Sequence, residues 1–302
     1  MIKLDEIIKT FKRYKSAYKN YISVMYFMVR KKYENINIVT RDGSSYRLSC
    51  DEVYNCSFIF SEGSGIAKKT SIETVLSWLK KDEFPYHEKI ITVHGIHDAP
   101  YRFNFFFKDY EFLNVMNKVV IDVGAYVGDS AIYFALNGAK KVIALELYPY
   151  AYELAVKNIY ENGLSEKIFL LNAGYGKDGQ ILVDEDLATD ETTSVSTSLM
   201  SNGRKRKCEV YSLNSLLEMF NINNAVLKMD CEGCEYNIID EDNITLGKFS
   251  RIIMEYHYGY KKLVEKLRSA GFDVKYTIPK KGPSPQLTDL KTEIGYIYAT
   301  KR

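Results

Sequence analysis

The chain has 302 residues, enough for one large domain or two modest ones around a substantial buried core. Its composition, 46% hydrophobic and 26% charged, excludes a disordered, collagenous or disulfide-scaffold protein. Lys plus Arg total 41 against 39 for Asp plus Glu, so the net charge of +2 exerts no global pull toward nucleic acid or an anionic membrane.

Residues 4–29 predict one amphipathic helix, with Leu4, Ile7, Phe11, Tyr14, Tyr18, Tyr21, Met25 and Met28 recurring three and four apart. Lys3, Lys9, Lys12, Arg13, Lys15 and Lys19 occupy the other face. Such a stripe packs on its own protein, makes a homodimer contact, or offers a basic arm to an anionic partner. The N-terminus has no secretory pattern, and its apolar run Tyr21–Val29 is about half the length of a membrane-spanning helix. A cytoplasmic protein without a membrane span is expected, and five sparse cysteines predict reduced thiols there.

Ile36–Ser49 reads as a hairpin about Arg41-Asp42-Gly43, and Ser61–Gly65 as a flexible turn. Thr70–Leu79 predicts a short helix capped by Thr70 or Ser71, and Ile90–Val93 and Arg102–Phe107 predict strands. Residues 1–114 are therefore expected to form a helix plus a small α+β module without a catalytic signature, in which His87, His94 and His97 are structural.

Residues 115–302 have a different texture. Apolar strands at Val119–Val123, Val142–Glu146, Ile168–Ala173, Ala225–Asp230, Arg251–His257, Phe272–Thr277 and Ile294–Ala299 are separated by helices starting near Ser130, Tyr150, Leu213 and Tyr260. This alternation is that of a doubly wound α/β sheet with helices on both faces. Tyr175–Lys207 interrupts it as an inserted loop or hairpin. It carries a polar run, Thr189–Thr197, whose Ser194 and Ser196 would lie in a lid, and a basic turn, Arg204–Lys207.

The strongest signal is Asp122-Val-Gly-Ala-Tyr-Val-Gly-Asp129, where a buried strand turns sharply into a helix. Gly124 and Gly128 allow the turn and the close approach of a ligand, and the helix start offers free N–H groups to an anionic group. Glu146 ends the next strand, 18 residues after Gly128, where an acidic residue accepts hydrogen bonds from ribose hydroxyls. A dinucleotide fingerprint would place glycine at Tyr126 to admit a pyrophosphate. Asp122 and Asp129 suit an ammonium group instead, so S-adenosylmethionine fits better than NAD.

Together with Leu227-Lys-Met-Asp-Cys-Glu-Gly-Cys-Glu235, these segments resemble the FkbM family of S-adenosylmethionine-dependent methyltransferases. Lys228, Asp230, Glu232, Gly233 and Glu235 match that family's K-x-D-x-E-G-x-E signature over a resemblance spanning roughly residues 115–280. It implies a Rossmann-like class I methyltransferase fold, S-adenosylmethionine as cofactor, and methylation of an oxygen on a small molecule or glycan. Tyr126 stands where the family usually has Asn, and Leu147 where it usually has Pro.

The candidate cofactor-binding residues are Asp122, Gly124, Ala125, Tyr126, Gly128, Asp129, Glu146 and Leu147, with Asn172 and Ala173 bordering the adenine. Asp230 and Glu232, at a strand's carboxyl end, are candidates to orient the acceptor hydroxyl or take its proton, while Glu235 braces the loop or touches substrate. Glu255 and His257 share one face of the next strand, and His257 is a general-base candidate or a structural histidine. Cys231-Glu-Gly-Cys234 has no partner pair at zinc spacing, so no metal is expected. An RNA-modifying methyltransferase and a non-catalytic cofactor-binding module are the competing functions.

Overall fold

The single helix expected over residues 4–29 is two helices, α1 (Leu4–Ala17) and α2 (Tyr21–Arg30), because the backbone between them pairs with a strand. In the computed structural model, which describes residues 4–30, 35–62, 70–95, 109–185, 204–281 and 293–302, that strand is β1 (Asn35–Val39). The Lys19 N–H donates to the Val39 carbonyl at 2.7 Å, and Asn20 accepts from the Val39 N–H at 2.8 Å. Buried Tyr18 donates its hydroxyl to the Val53 carbonyl at 2.7 Å. The apolar residues of 4–29 thus do not share one helical face: Tyr14 and Tyr18 are buried, while Ile7 and Phe11 are exposed.

β1 and β2 (Ser45–Ser49) form the hairpin expected around Asp42-Gly43. A helix without a predicted counterpart follows, α3 (Cys50–Glu62). It begins with a reciprocal capping box in which Ser49 Oγ accepts from the Glu52 N–H and the Glu52 carboxylate accepts from the Ser49 N–H. Helix α4 (Ile72–Lys80) is capped by Ser71 as expected, and β3 (Glu83–Tyr86) pairs with β4 (Lys89–Thr92). The strand expected at Arg102–Phe107, the end of the Ser61–Gly65 turn and His97 lie outside the described residues.

Residues 1–108 and 109–302 form two separate units. In the second, β5 (Val119–Val123), β6 (Lys141–Glu146) and β7 (Ile168–Tyr175) alternate with α5 (Asp129–Leu136) and α6 (Pro149–Glu161). After β8 (Gly179–Asp184), β9 (Lys205–Tyr211) and α7 (Leu213–Met219) come β10 (Ala225–Met229), the single helical turn α8 (Asn243–Leu246) and β11 (Phe249–Tyr256). Helix α9 (Lys261–Ser269), β12 (Phe272–Tyr276), β13 (Lys280–Lys281) and β14 (Glu293–Lys301) complete the unit.

The sheet runs β12-β14-β11-β10-β5-β6-β7-β9-β8, with β13 paired to β14. Strands β7, β6, β5, β10 and β11 are mutually parallel, and β14 runs antiparallel to both of its long neighbours. All five residues of β10 are buried, and β5 and β6 are buried beyond their first residue, as expected for parallel strands covered on both faces. The chain winds outward from β5 to β7 and then returns to the other side of β5. The carboxyl ends of β5 and β10 therefore flank the topological switch point, where open α/β sheets bind ligands. No helix among the described residues is long and apolar enough to cross a membrane.

The inserted stretch is the antiparallel pair β8–β9, so Arg204–Lys207 is not a turn but leads into a strand. Arg206 Nε donates to Glu185 at 2.8 Å, and Lys205 lies 3.7 Å from Asp184, so these cations are neutralised within the hairpin. Ser194, Ser196 and the rest of Thr189–Thr197 lie outside the described residues.

Candidate active site

The loop after β5 is held by backbone and ionic contacts rather than by its own side chains. Gly124 and Ala125 donate their N–H groups to the Leu145 carbonyl at 3.0 and 2.9 Å, and Gly128 donates to Ala125 at 2.8 Å. Gly128, at φ 85°, is the N-cap of α5 without a side-chain capping bond, and Tyr126 holds φ 51°, a left-handed conformation costly for an L-residue. Beneath the loop, Asp122 and Lys228 are register partners on β5 and β10, with Nζ 3.1 Å from Oδ1. Lys228 also donates to the Gly124 carbonyl at 2.6 Å, and Ser130 donates to Asp122 at 2.6 Å. Burial would pull the Lys228 ammonium down, but the carboxylates of Asp122, Asp230 and Asp129 hold it above its ordinary range.

Asp122, expected to meet a ligand ammonium, is fully buried and spends its oxygens on Lys228 and Ser130. It is an internal anchor for the loop. Asp129, at the start of α5, is buried too.

At the end of β6, Glu146 accepts from the Tyr126 N–H at 2.7 Å and from the Tyr148 N–H at 2.8 Å, one bond to each oxygen. Each oxygen keeps a lone pair for a further donor. Burial pushes this carboxyl up to about 7, against the two N–H groups that favour its charge. Asn172 donates to the carbonyls of Glu146 and Leu147 at 2.9 and 3.1 Å. Its amide thus braces this strand end. Leu147 is half-buried, and Ala173 is packed in the core.

Across the switch point the chain turns sharply through Glu232 at φ 55° and Gly233 at φ 120°. The turn brings the Cα atoms of Cys231 and Cys234 to 5.5 Å, and the two form a disulfide rather than the free thiols expected. Cys50, Cys56 and Cys208 form no disulfide among the described residues.

Glu235 is fully buried and accepts from Gly233 N–H at 2.8 Å. Its Oε1 lies 2.9 Å from His257 Nδ1, and Glu232 Oε2 lies 3.2 Å from Nε2. Burial alone would lower the His257 pKa, but hydrogen bonds to Glu232 and Glu235, reinforced by their charges, raise it to about 11. An imidazolium has no lone pair, so with both carboxylates in place His257 is not the proton acceptor considered above. Glu255, by contrast, is pushed up to about 8 by burial and by the negative charge of Asp230. Ligand atoms of Asp230, Glu255 and His257 all lie within 4.8 Å of one another, a grouping the sequence did not disclose.

The methyltransferase FkbM domain matches residues 122–274, half of the chain. The chain belongs to the FkbM methyltransferase family. Its cofactor is S-adenosylmethionine. The FkbM site fits that group chemically: Glu146, buried at the end of β6, keeps a lone pair on each oxygen for ribose hydroxyls.

No curated protein matches this FkbM chain in sequence. Among solved structures it is similar to M. capricolum TrmK in complex with S-adenosylhomocysteine, at 16% identity over 65% of this chain and 67% of that one, TM-score 0.38. It is also similar to the precorrin 8W decarboxylase of Methanobacterium thermoautotrophicum, at 19% identity over 70% and 94%, TM-score 0.39. A Bacillus cereus O-methyltransferase gives 13% identity over 61% and 74%, TM-score 0.34. Likenesses this shallow carry no argument about activity; the fold rests on the strand order above.

Proposed function

We propose that this FkbM methyltransferase methylates an oxygen of a small molecule or glycan. The observation that carries this reading is the acidic edge formed by Asp230, Glu232 and Glu255 at the carboxyl ends of β10 and β11, across the switch point from the glycine loop. In this reading Glu146 holds the ribose; Gly124, Ala125, Tyr126, Gly128 and Asp129 line the methionine end; Leu147 borders the adenine, with Asn172 and the core residue Ala173 supporting that strand end from behind. Asp122 and Lys228 position the loop from below.

When bound, S-adenosylmethionine supplies an electrophilic methyl group: the acceptor C–O bond forms as the C–S bond breaks, leaving a thioether and one proton. Alignment and removal of that proton are then the protein's tasks. The Asp230–Glu255 pair takes it, since a carboxyl poised near 8 matches proton transfer at neutral pH. His257 is a positioning residue that fixes Glu232 through Nε2 and is itself fixed by Glu235. Pairing of Arg206 and Lys205 with Glu185 and Asp184 reduces the charge that the basic stretch offers an RNA backbone.

The test is incubation with methyl-labelled S-adenosylmethionine and a panel of hydroxylated small molecules, oligosaccharides and bulk RNA. Label transferred to an oxygen of a small molecule or glycan supports the reading. Transfer to RNA alone would replace it with the RNA-modifying alternative.

A further inference from the structure

The geometry points to a divalent-cation site formed by Asp230, Glu255 and His257, beside the cofactor loop, for an acceptor that presents two oxygens on adjacent carbons. The ligand atoms of the three residues lie within 4.8 Å of one another, close enough for one ion to reach all three. His257 is 4% exposed, and its Nδ1 is committed to the fully buried Glu235 at 2.9 Å. The other nitrogen, Nε2, faces the cluster, and a bound cation would take the place of its proton and of its bond to Glu232. A metal-bound histidine almost always has its other nitrogen held by a carboxylate or carbonyl in this way, which fixes the tautomer and the ring plane.

Glu232, at 3.2 Å from Nε2, is 38% exposed on its side chain and sits on a turn with positive φ. It is free to swing from the imidazole or to join the coordination shell. The three ligands come from the ends of two adjacent parallel strands, β10 and β11, so the backbone positions them without help from a flexible loop.

Two carboxylates and one imidazole suit a borderline-hard ion such as Mn²⁺ rather than a thiolate-loving one. Three protein ligands leave half of an octahedral shell open. An acceptor with two neighbouring oxygens would fill two of those positions and thereby be oriented toward the methyl group. This deepens the proposed function and rests on its placing the acceptor at this edge; each carboxylate gives the ion one oxygen, and the second oxygen of Asp230 or Glu255 remains for the acceptor proton.

The test is titration of Mn²⁺ into the full-length protein, followed by loss of the free-ion electron paramagnetic resonance signal, with S-adenosylhomocysteine affinity measured calorimetrically in parallel. One Mn²⁺ per chain is expected, with affinity falling tenfold or more in Asp230→Asn and in Glu255→Gln. Glu235→Gln, at the residue that holds the ring from its Nδ1 side and also accepts from the Gly233 N–H, should lower it by about 10- to 100-fold. Cofactor-product affinity should stay within about threefold in Asp230→Asn and Glu255→Gln, which shows that the variants fold.

Product binding without Mn²⁺ binding would overturn the cation site and leave the methyltransferase reading standing. So would Mn²⁺ binding that these substitutions do not change. Mn²⁺ binding as expected, with no transfer to any acceptor bearing paired oxygens, would overturn the acceptor class.

Discussion

The carbonyl oxygen of Asp230 occupies the space where a side chain on Gly124 would begin: a Cβ built there would lie 1.8 Å from it. The cofactor loop and the acidic edge are thus locked together across the switch point, with the Lys228 ammonium bonded to the Gly124 carbonyl below. Gly124→Ala must push the two strand ends apart. We expect a loss of about 1–3 kcal/mol in urea unfolding, typical of overpacking, and at least tenfold weaker S-adenosylhomocysteine binding. Unchanged stability and affinity would show that the two loops are not in contact.

Lys228 and Asp122 form a buried pair, so removing one partner strands the other. Lys228→Met is expected to cost about 3–5 kcal/mol, and the double variant with Asp122→Asn to recover most of that. Denaturant unfolding of the two single variants and the double variant measures the coupling. Simple additivity would mean that the pair contributes no mutual stabilisation.

Tyr126 holds a left-handed backbone, at φ 51°, that Asn adopts more easily. It donates its backbone N–H to Glu146, a bond that substitution retains. Tyr126→Asn should therefore stabilise the protein by up to about 1 kcal/mol, read as a rise in thermal midpoint.

Glu146 supplies a pH dependence with a definite sign. Its carboxyl rises from 4.5 to about 7 in the folded protein, so its contribution to stability is present below 4.5 and lost as pH rises through 7. Ribose hydroxyls donate to the charged form, so cofactor-product affinity should strengthen with pH. Between pH 6 and 8 the gain should be about tenfold. Glu146→Gln should bind weakly and with little dependence on pH. A wild-type affinity flat over this range would contradict the role.

The Cys231–Cys234 bridge is checked by mass. Alkylation of the unfolded, unreduced chain should label three cysteines, Cys50, Cys56 and Cys208, and all five after reduction.

Most of the second unit was legible because parallel strands buried on both faces read as apolar runs, and because the glycines of the β5–α5 turn mark positive φ. Val119–Val123, Val142–Glu146 and Ala225–Asp230 all fall within a residue of their strands. The break at Tyr18–Asn20 was hidden because it arises from pairing with β1, a tertiary contact that overrides an unbroken helical period. Helix α3 had a readable start in Ser49-Cys-Asp-Glu52, but its mixed apolar pattern gave no clear face.

At the site, residue types were legible and partnerships were not. Asp122 looked like a ligand contact because nothing local reveals that Lys228, 106 positions away, stands beside it in the sheet. His257 stays open between general base and structural histidine in the sequence because its two carboxylates come from the preceding loop. The link between Asp230 and Glu255 likewise depends on the β10–β11 register.

The most direct test of the central claim, that the β5 loop and Glu146 hold the cofactor, is calorimetric titration with S-adenosylhomocysteine of the wild type and Glu146→Ala, with NAD as control. The account predicts micromolar binding by the wild type, at least tenfold weaker binding by the variant and none of NAD. Equal affinity in the two proteins would contradict it, because the ribose would then lie elsewhere.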